Sequence, residues 1–173
     1  DKIVCFHDFN LQNKFKINKR IKDINYEDLK KISVKFNSKI PLLDELLEID
    51  RTKLHLMIEL KPIFSKKNLI CLINKTKGLK NYSLTSFHEQ NLINLFKLNK
   101  KLSLGLIFSS RTKLETFKIK SKKKFIKLLV VEKKFLTYNK MDSLNIPIYY
   151  YTAKYKNIFN KYKNSKNLIF ENL

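Results

Sequence analysis

A chain of 173 residues with 43% hydrophobic and 30% charged residues has the size and composition of one globular domain with a real core. Its formal net charge is +22, and it has no apolar run near the roughly 18 residues a membrane-spanning helix needs. Gly78 and Gly105 are its only glycines, which excludes glycine-rich loops that cradle phosphates.

Taken in order, apolar runs and helical stripes alternate. Ile3–Phe6 reads as a strand, and the polar, basic stretch Asn10–Arg20 as a loop. Tyr26–Ile32 is a short helix that Asn25 can cap. Pro41 opens a second helix, whose apolar stripe is Leu42, Leu43, Leu46 and Leu47. The predicted elements then run strand Leu54–Leu60, helix Lys66–Lys77 stopped by Gly78, strand Tyr82–Ser86, helix Glu89–Leu98 and strand Leu102–Ile107. Helix Leu114–Ser121, strand Lys127–Val131, a turn of helix at Asn139–Leu144, strand Ile146–Tyr151, helix Lys156–Tyr162 and strand Asn167–Phe170 follow. Seven strands joined by helices imply a parallel α/β sheet in a single domain, residues 1–173.

Ligands of parallel α/β proteins bind outside the carboxyl ends of the strands. The first predicted strand ends in His7-Asp8, and the second carries Glu59 and ends at Lys61. Alternation puts Glu59 and Lys61 on one strand face, with His55 and Met57 further down it. An imidazole titrates near neutrality and can take or give a proton, so His7 is the candidate acid/base. Asp8 points the other way on an ideal strand and is expected to hold the loop. At a strand end that faces a site, Lys61 needs an anion, and Glu59 can be that anion.

The charge invites a nucleic-acid reading. Only Arg20, Arg51 and Arg111 are arginine, which leaves 34 of the 37 cations as lysine, without the bidentate fork that reads base edges. The lysines are spread along the whole chain, as on a solvated basic surface. Cys5 and Cys71 lie in apolar runs and are expected as buried free thiols, which suits a reducing, cytoplasmic setting.

Six segments carry a resemblance: VCFHDFNL, INYEDLKKI with KIPLLDELLE, HLMIELK, SLTSF, LGLIF and IPIYYYT. In order and spacing they resemble the glycerophosphodiester phosphodiesterase family over nearly the whole chain. The resemblance implies a (β/α)8 TIM-type barrel and metal-dependent hydrolysis of a small-molecule glycerophosphodiester to glycerol 3-phosphate and an alcohol. It implies His7 as catalytic acid/base, Glu59 as a ligand of Mg2+ or Ca2+, and Lys61 as substrate-binding, and strand alternation puts Ser86 and Tyr151 at the mouth beside it, as substrate-binding. No nucleic-acid partner is expected.

Departures accompany it. No His-Arg-Gly strand end with its acidic metal ligands precedes His7. Where the family has Trp-Thr-x-Asn this chain has Tyr151-Thr152-Ala153-Lys154, and Asn13-Lys14 replaces Arg-Thr. A barrel of this kind typically takes ~250 residues, ~200 at the low end. The expected architecture is therefore an incomplete barrel lacking its first βα unit, left open at both edges, with Ile3–Phe6 pairing in parallel with Leu54–Leu60. The alternatives are a family member that keeps the fold without catalysis, and a basic nucleic-acid-binding module.

Overall fold

The computed structural model describes residues 2–48 and 54–172. Its backbone contacts divide the chain into two compact units, Asp1–Leu54 with Ser65–Lys80, and His55–Phe64 with Asn81–Leu173.

The first unit is helical. It contains α1 (Gln12–Phe15), α2 (Tyr26–Lys35), α3 (Leu43–Leu47) and α4 (Lys66–Thr76). The Asn25 side chain accepts from the Asp28 amide at 2.9 Å and starts α2 as predicted. Ser65 does the same for α4 through the Asn68 amide, 3.2 Å away. Leu11, Phe15, Leu29 and Ile40 form the core, with Phe6 stacked on Phe15 at 6.0 Å.

Two expectations fail in this unit. Ile3–Phe6 is not a strand of the sheet. It meets the segment before α3 through one antiparallel bridge, Val4 to Leu42, flanked by Cys5 N–H to Pro41 C=O and Leu43 N–H to Ile3 C=O, both 2.8 Å. A four-residue apolar run satisfies its backbone with any neighbour, and here Pro41–Leu43 supplies it. Nor is Asn10–Arg20 only a loop, because Leu11 and Phe15, one helical turn apart, are fully buried on α1. Cys5 and Cys71 are free thiols but only partly buried. Burial, and then the Glu45 carboxylate, pushes the Cys5 thiol up.

The second unit is a six-stranded parallel sheet of β1 (Leu56–Glu59), β2 (Tyr82–Ser86), β3 (Leu104–Phe108), β4 (Leu128–Glu132), β5 (Ile148–Ala153) and β6 (Asn167–Phe170). Its helices are α5 (Glu89–Leu98), α6 (Leu114–Ser121), α7 (Asn139–Asp142) and α8 (Lys156–Tyr162). The spatial order is the chain order, β1 to β6. A doubly wound sheet reverses its order at a switch point. This one never does, which is the winding of a TIM-type barrel. Among the described residues β1 and β6 pair on one side only, so the sheet is open at two edges, but it has six strands and its first edge is β1, in place of the expected Ile3–Phe6.

The two faces of the sheet are packed differently. Ile107, Leu128 and Val130 form a cluster with Met57, Tyr149, Tyr151 and Ile169 on one face. Gly105 lies among them, where a Cβ would come within 2.4 Å of the Leu128 side chain and 2.8 Å of Thr85. Only a residue without a side chain lets Leu128 fill that layer. The other face meets helices through Phe108, Phe117 and Phe135, whose ring centroids lie 4.8 and 4.9 Å apart in sequence.

Candidate active site

In the second unit, the carboxyl end of β1 places the Lys61 ammonium 3.0 Å from Glu59 Oε2. Both side chains are largely buried, yet Glu59 Oε1 is shielded from solvent and accepts no hydrogen bond. A buried polar atom without a partner is uncommon and calls for an explanation. Here it is a lone acceptor beside a cation, a position suited to a bound cation or to a protonated ligand group.

A brace behind the strand fixes this pair. Ser86 is fully buried, donates its hydroxyl to the Leu60 carbonyl at 2.7 Å and accepts from the His88 amide at 3.1 Å. Asn91, also fully buried, donates to Pro62 C=O (2.8 Å) and Ser86 Oγ (3.1 Å) and accepts from the Phe64 amide (2.9 Å). The loop that carries Lys61 is thus tied at three points to β2 and to the first turn of α5. Ser86 faces the helices, not the interior. It holds Lys61 in place and is not itself part of the mouth.

Tyr151 stands on the interior face, in the cluster of Ile107, Leu128 and Val130. Its hydroxyl donates to the Phe108 carbonyl at 2.9 Å, and Phe87 meets its ring edge-on at 6.4 Å. Burial, then the Glu132 and Glu59 carboxylates, push its pKa up to about 12. The ring is therefore a protonated, fixed wall at neutral pH and not a base. Glu132 ends β4 beside Tyr151 and accepts from the Lys134 amide at 2.9 Å. Sequence reading passed over both Glu132 and Asn91. The only signal for Asn91 is an amide on the helix start that follows Ser86.

His7 belongs to the first unit. Its side chain is 89% exposed, and Nδ1 lies 2.8 Å from Asp8 Oδ1. A carboxylate on Nδ1 favours the proton there and leaves the Nε2 lone pair free to accept one. Asn13 donates to Asp8 Oδ2 at 2.9 Å, so Asp8 orients the imidazole and holds the loop at once. His55, just before β1, lies at the amino end of the sheet. Its ring nitrogens meet Asn81 Oδ1 at 2.6 Å and Ser83 Oγ at 2.5 Å.

The sequence profile of the glycerophosphoryl diester phosphodiesterase family matches residues 1–156. The chain belongs to that family. No curated protein is similar enough in sequence to match it. Among solved structures, an Oleispira antarctica phosphodiesterase in complex with the product sn-glycerol-3-phosphate superposes with a TM-score of 0.78 at 17% identity, over 96% of this chain and 74% of that one. Glycerophosphodiester phosphodiesterases of Parabacteroides distasonis and Agrobacterium tumefaciens each give 0.71, at 16% and 14% identity, over 96% of this chain and 73% and 77% of theirs. These likenesses establish the fold. They agree with the unreversed strand order in making it TIM-type.

Members of this family generally depend on a divalent metal. Hard cations take several oxygen ligands. Glu59 Oε1 fits one such position, but no three His, Cys, Asp or Glu side chains converge among the described residues. The described residues do not make a cation site by themselves. No helix among them is long and apolar enough to cross a membrane.

Proposed function

We propose that this chain hydrolyses a glycerophosphodiester to glycerol 3-phosphate and an alcohol. The observation that carries the reading is the Glu59–Lys61 pair at the carboxyl end of β1, with its shielded, unpartnered oxygen. In the reaction a water molecule gives up a proton as its oxygen bonds to phosphorus. The phosphorus–oxygen bond to the alcohol then breaks, and the departing oxygen takes up a proton, so that one water is consumed. Lys61 neutralises phosphoryl charge. Tyr151 walls the mouth, and Ser86 with Asn91 holds Lys61 in place. His7, with Nε2 free, is the acid/base.

A divalent ion, Mg2+ or Ca2+, would supply Lewis-acid polarisation of the phosphoryl oxygens, with Glu59 Oε1 as the ligand this chain offers. The six strands stand for the later βα units of an eight-stranded barrel. The family match, residues 1–156, runs across both compact units, which supports the single domain read over residues 1–173. Two free thiols suit a cytoplasmic setting.

The test is release of glycerol 3-phosphate from glycerophosphocholine with Mg2+ or Ca2+, and its loss with a chelator. His7→Ala should lower turnover about 100-fold or more. A second reading, a member that keeps the fold without turnover, is favoured by the lack of a three-ligand group among the described residues. It requires no product above background under any divalent ion.

A further inference from the structure

Among the described residues of the second unit, most exposed large apolar side chains gather at one end. Ile63 (61%), Phe87 (44%), Tyr138 (42%), Tyr155 (64%) and Phe170 (56%) are exposed, and the remaining one is Ile119 on α6 (64%). Ile63 follows β1, Phe87 follows β2, Tyr138 lies beyond β4, Tyr155 follows β5, and Phe170 closes β6. In a parallel sheet Ile63, Phe87, Tyr155 and Phe170 therefore lie at the carboxyl end, the end of Glu59 and Tyr151, whereas Tyr138 lies on the way back to the amino end, just before α7, whose Asp142 pairs with Lys166 ahead of β6. Exposed apolar groups gathered at one place mark an interaction surface, whereas scattered ones do not.

The same end is basic. Arg111 and Lys113 follow β3, Lys133 and Lys134 follow β4, and none of the four makes an ion pair among the described residues. Of the acids at this end, Glu171 and Glu59 are each matched by a lysine, Lys154 at 3.4 Å and Lys61 at 3.0 Å, Glu89 is held by Lys120 and Lys123, and the Glu132 carboxylate is engaged by the Lys134 amide. Lys133 also lies 5.7 Å from the Tyr155 ring centroid, so cation and aromatic share one patch. Aromatic and aliphatic tips interleaved with unpaired lysines are the chemistry that meets a lipid headgroup layer. The rings enter the interface, and the ammonium groups stay with anionic phosphates.

We infer that the carboxyl-end rim of the second unit docks on an anionic bilayer surface, with Ile63, Phe87 and Tyr155 entering the interface and Lys133 and Lys134 held by lipid phosphate. Docking stands apart from catalysis. Its consequence, that a glycerophosphodiester already freed of its acyl chains is met at the lipid surface where it arises, rests on the hydrolase reading above. A nucleic acid would use the same cations but would not need exposed Ile63.

The chain contains no tryptophan, so a single introduced indole reports its own surroundings. The full chain carrying Ile63→Trp, Tyr155→Trp or Ile119→Trp is mixed with vesicles of phosphatidylcholine alone, or with phosphatidylglycerol added, some with brominated acyl chains. Circular dichroism verifies the fold of each variant. The first two indoles should shift to the blue and be quenched by brominated chains on the anionic vesicles, while Ile119→Trp should not respond. Lys133→Ala should weaken co-sedimentation of the otherwise native chain about fivefold. Sedimentation without quenching at either rim position would overturn the proposal, as would equal quenching at Ile119→Trp. So would a polynucleotide that shifts the rim indoles when anionic vesicles do not. Vesicle binding without release of glycerol 3-phosphate would leave docking standing and remove the hydrolase reading. Turnover of soluble glycerophosphocholine without vesicle binding would do the reverse.

Discussion

His55 and Glu59 stand at the two ends of β1, and their polar atoms meet opposite fates. Both ring nitrogens of His55 are engaged, by Asn81 and by the buried Ser83 hydroxyl. Glu59 spends one oxygen on Lys61 and leaves the other shielded and unpartnered. A fully satisfied polar group stabilises a fold. An unsatisfied one costs free energy that a donor or cation reaching it returns. On one strand, the amino end thus reads as architecture and the carboxyl end as chemistry.

The sharpest way to break this contrast is Glu59→Gln. Turnover of glycerophosphocholine should fall on the order of 100-fold or more, with excess divalent ion restoring part of it, while the melting temperature holds. A fall in melting temperature without a fall in turnover would make Glu59 structural. Next comes Asn91→Ala, which frees the Phe64 amide and Pro62 carbonyl together and should cost about 3 kcal/mol in urea unfolding. Because Asn91 acts through Lys61, KM should rise as well, an effect that simple destabilisation would not produce at temperatures where the variant is folded. His55→Ala is the mirror image. It should lose about 2 kcal/mol by stranding Ser83, and leave kcat and KM unchanged for the folded fraction.

The smallest effect concerns Glu89, an acid at the same end as Glu59 but fully engaged. Burial alone would raise its carboxyl, but hydrogen bonds from Lys120 and Lys123 outweigh this and hold it below the ordinary range. A depressed folded pKa contributes stability above the unfolded carboxylate value, and that stability is lost as pH falls through the folded value. Melting temperatures of the native chain and Glu89→Gln should therefore differ at neutral pH and converge on acidification.

The sequence made the second unit legible because its pattern is local. Each strand from Tyr82 to Phe170 is a short apolar run between helical stripes, and each appears within a residue or two of its predicted place. Three readings needed information that no local pattern carries. Ile3–Phe6 is apolar enough for a sheet, but its partner is Pro41–Leu43, which only the folded chain reveals. Alternation puts Ser86 at the mouth, yet Leu84, Thr85 and Ser86 are all buried, so apolarity does not say which face is the interior. Alternation puts Tyr151 at the same mouth, and its ring lies on the interior face, beside Met57 and Val130. Asn91 has no periodic signature at all. Its worth lies in three hydrogen bonds to atoms that other segments bring to it.

The Asn91 brace also sets a clock. The Phe64 amide donates to a side chain with no solvent exposure, so its proton can leave for water only when the loop and the first turn of α5 separate. Deuterium uptake at that one amide therefore counts the openings of the segment that presents Lys61, and a ligand seated against Lys61 would slow the count without touching Phe64.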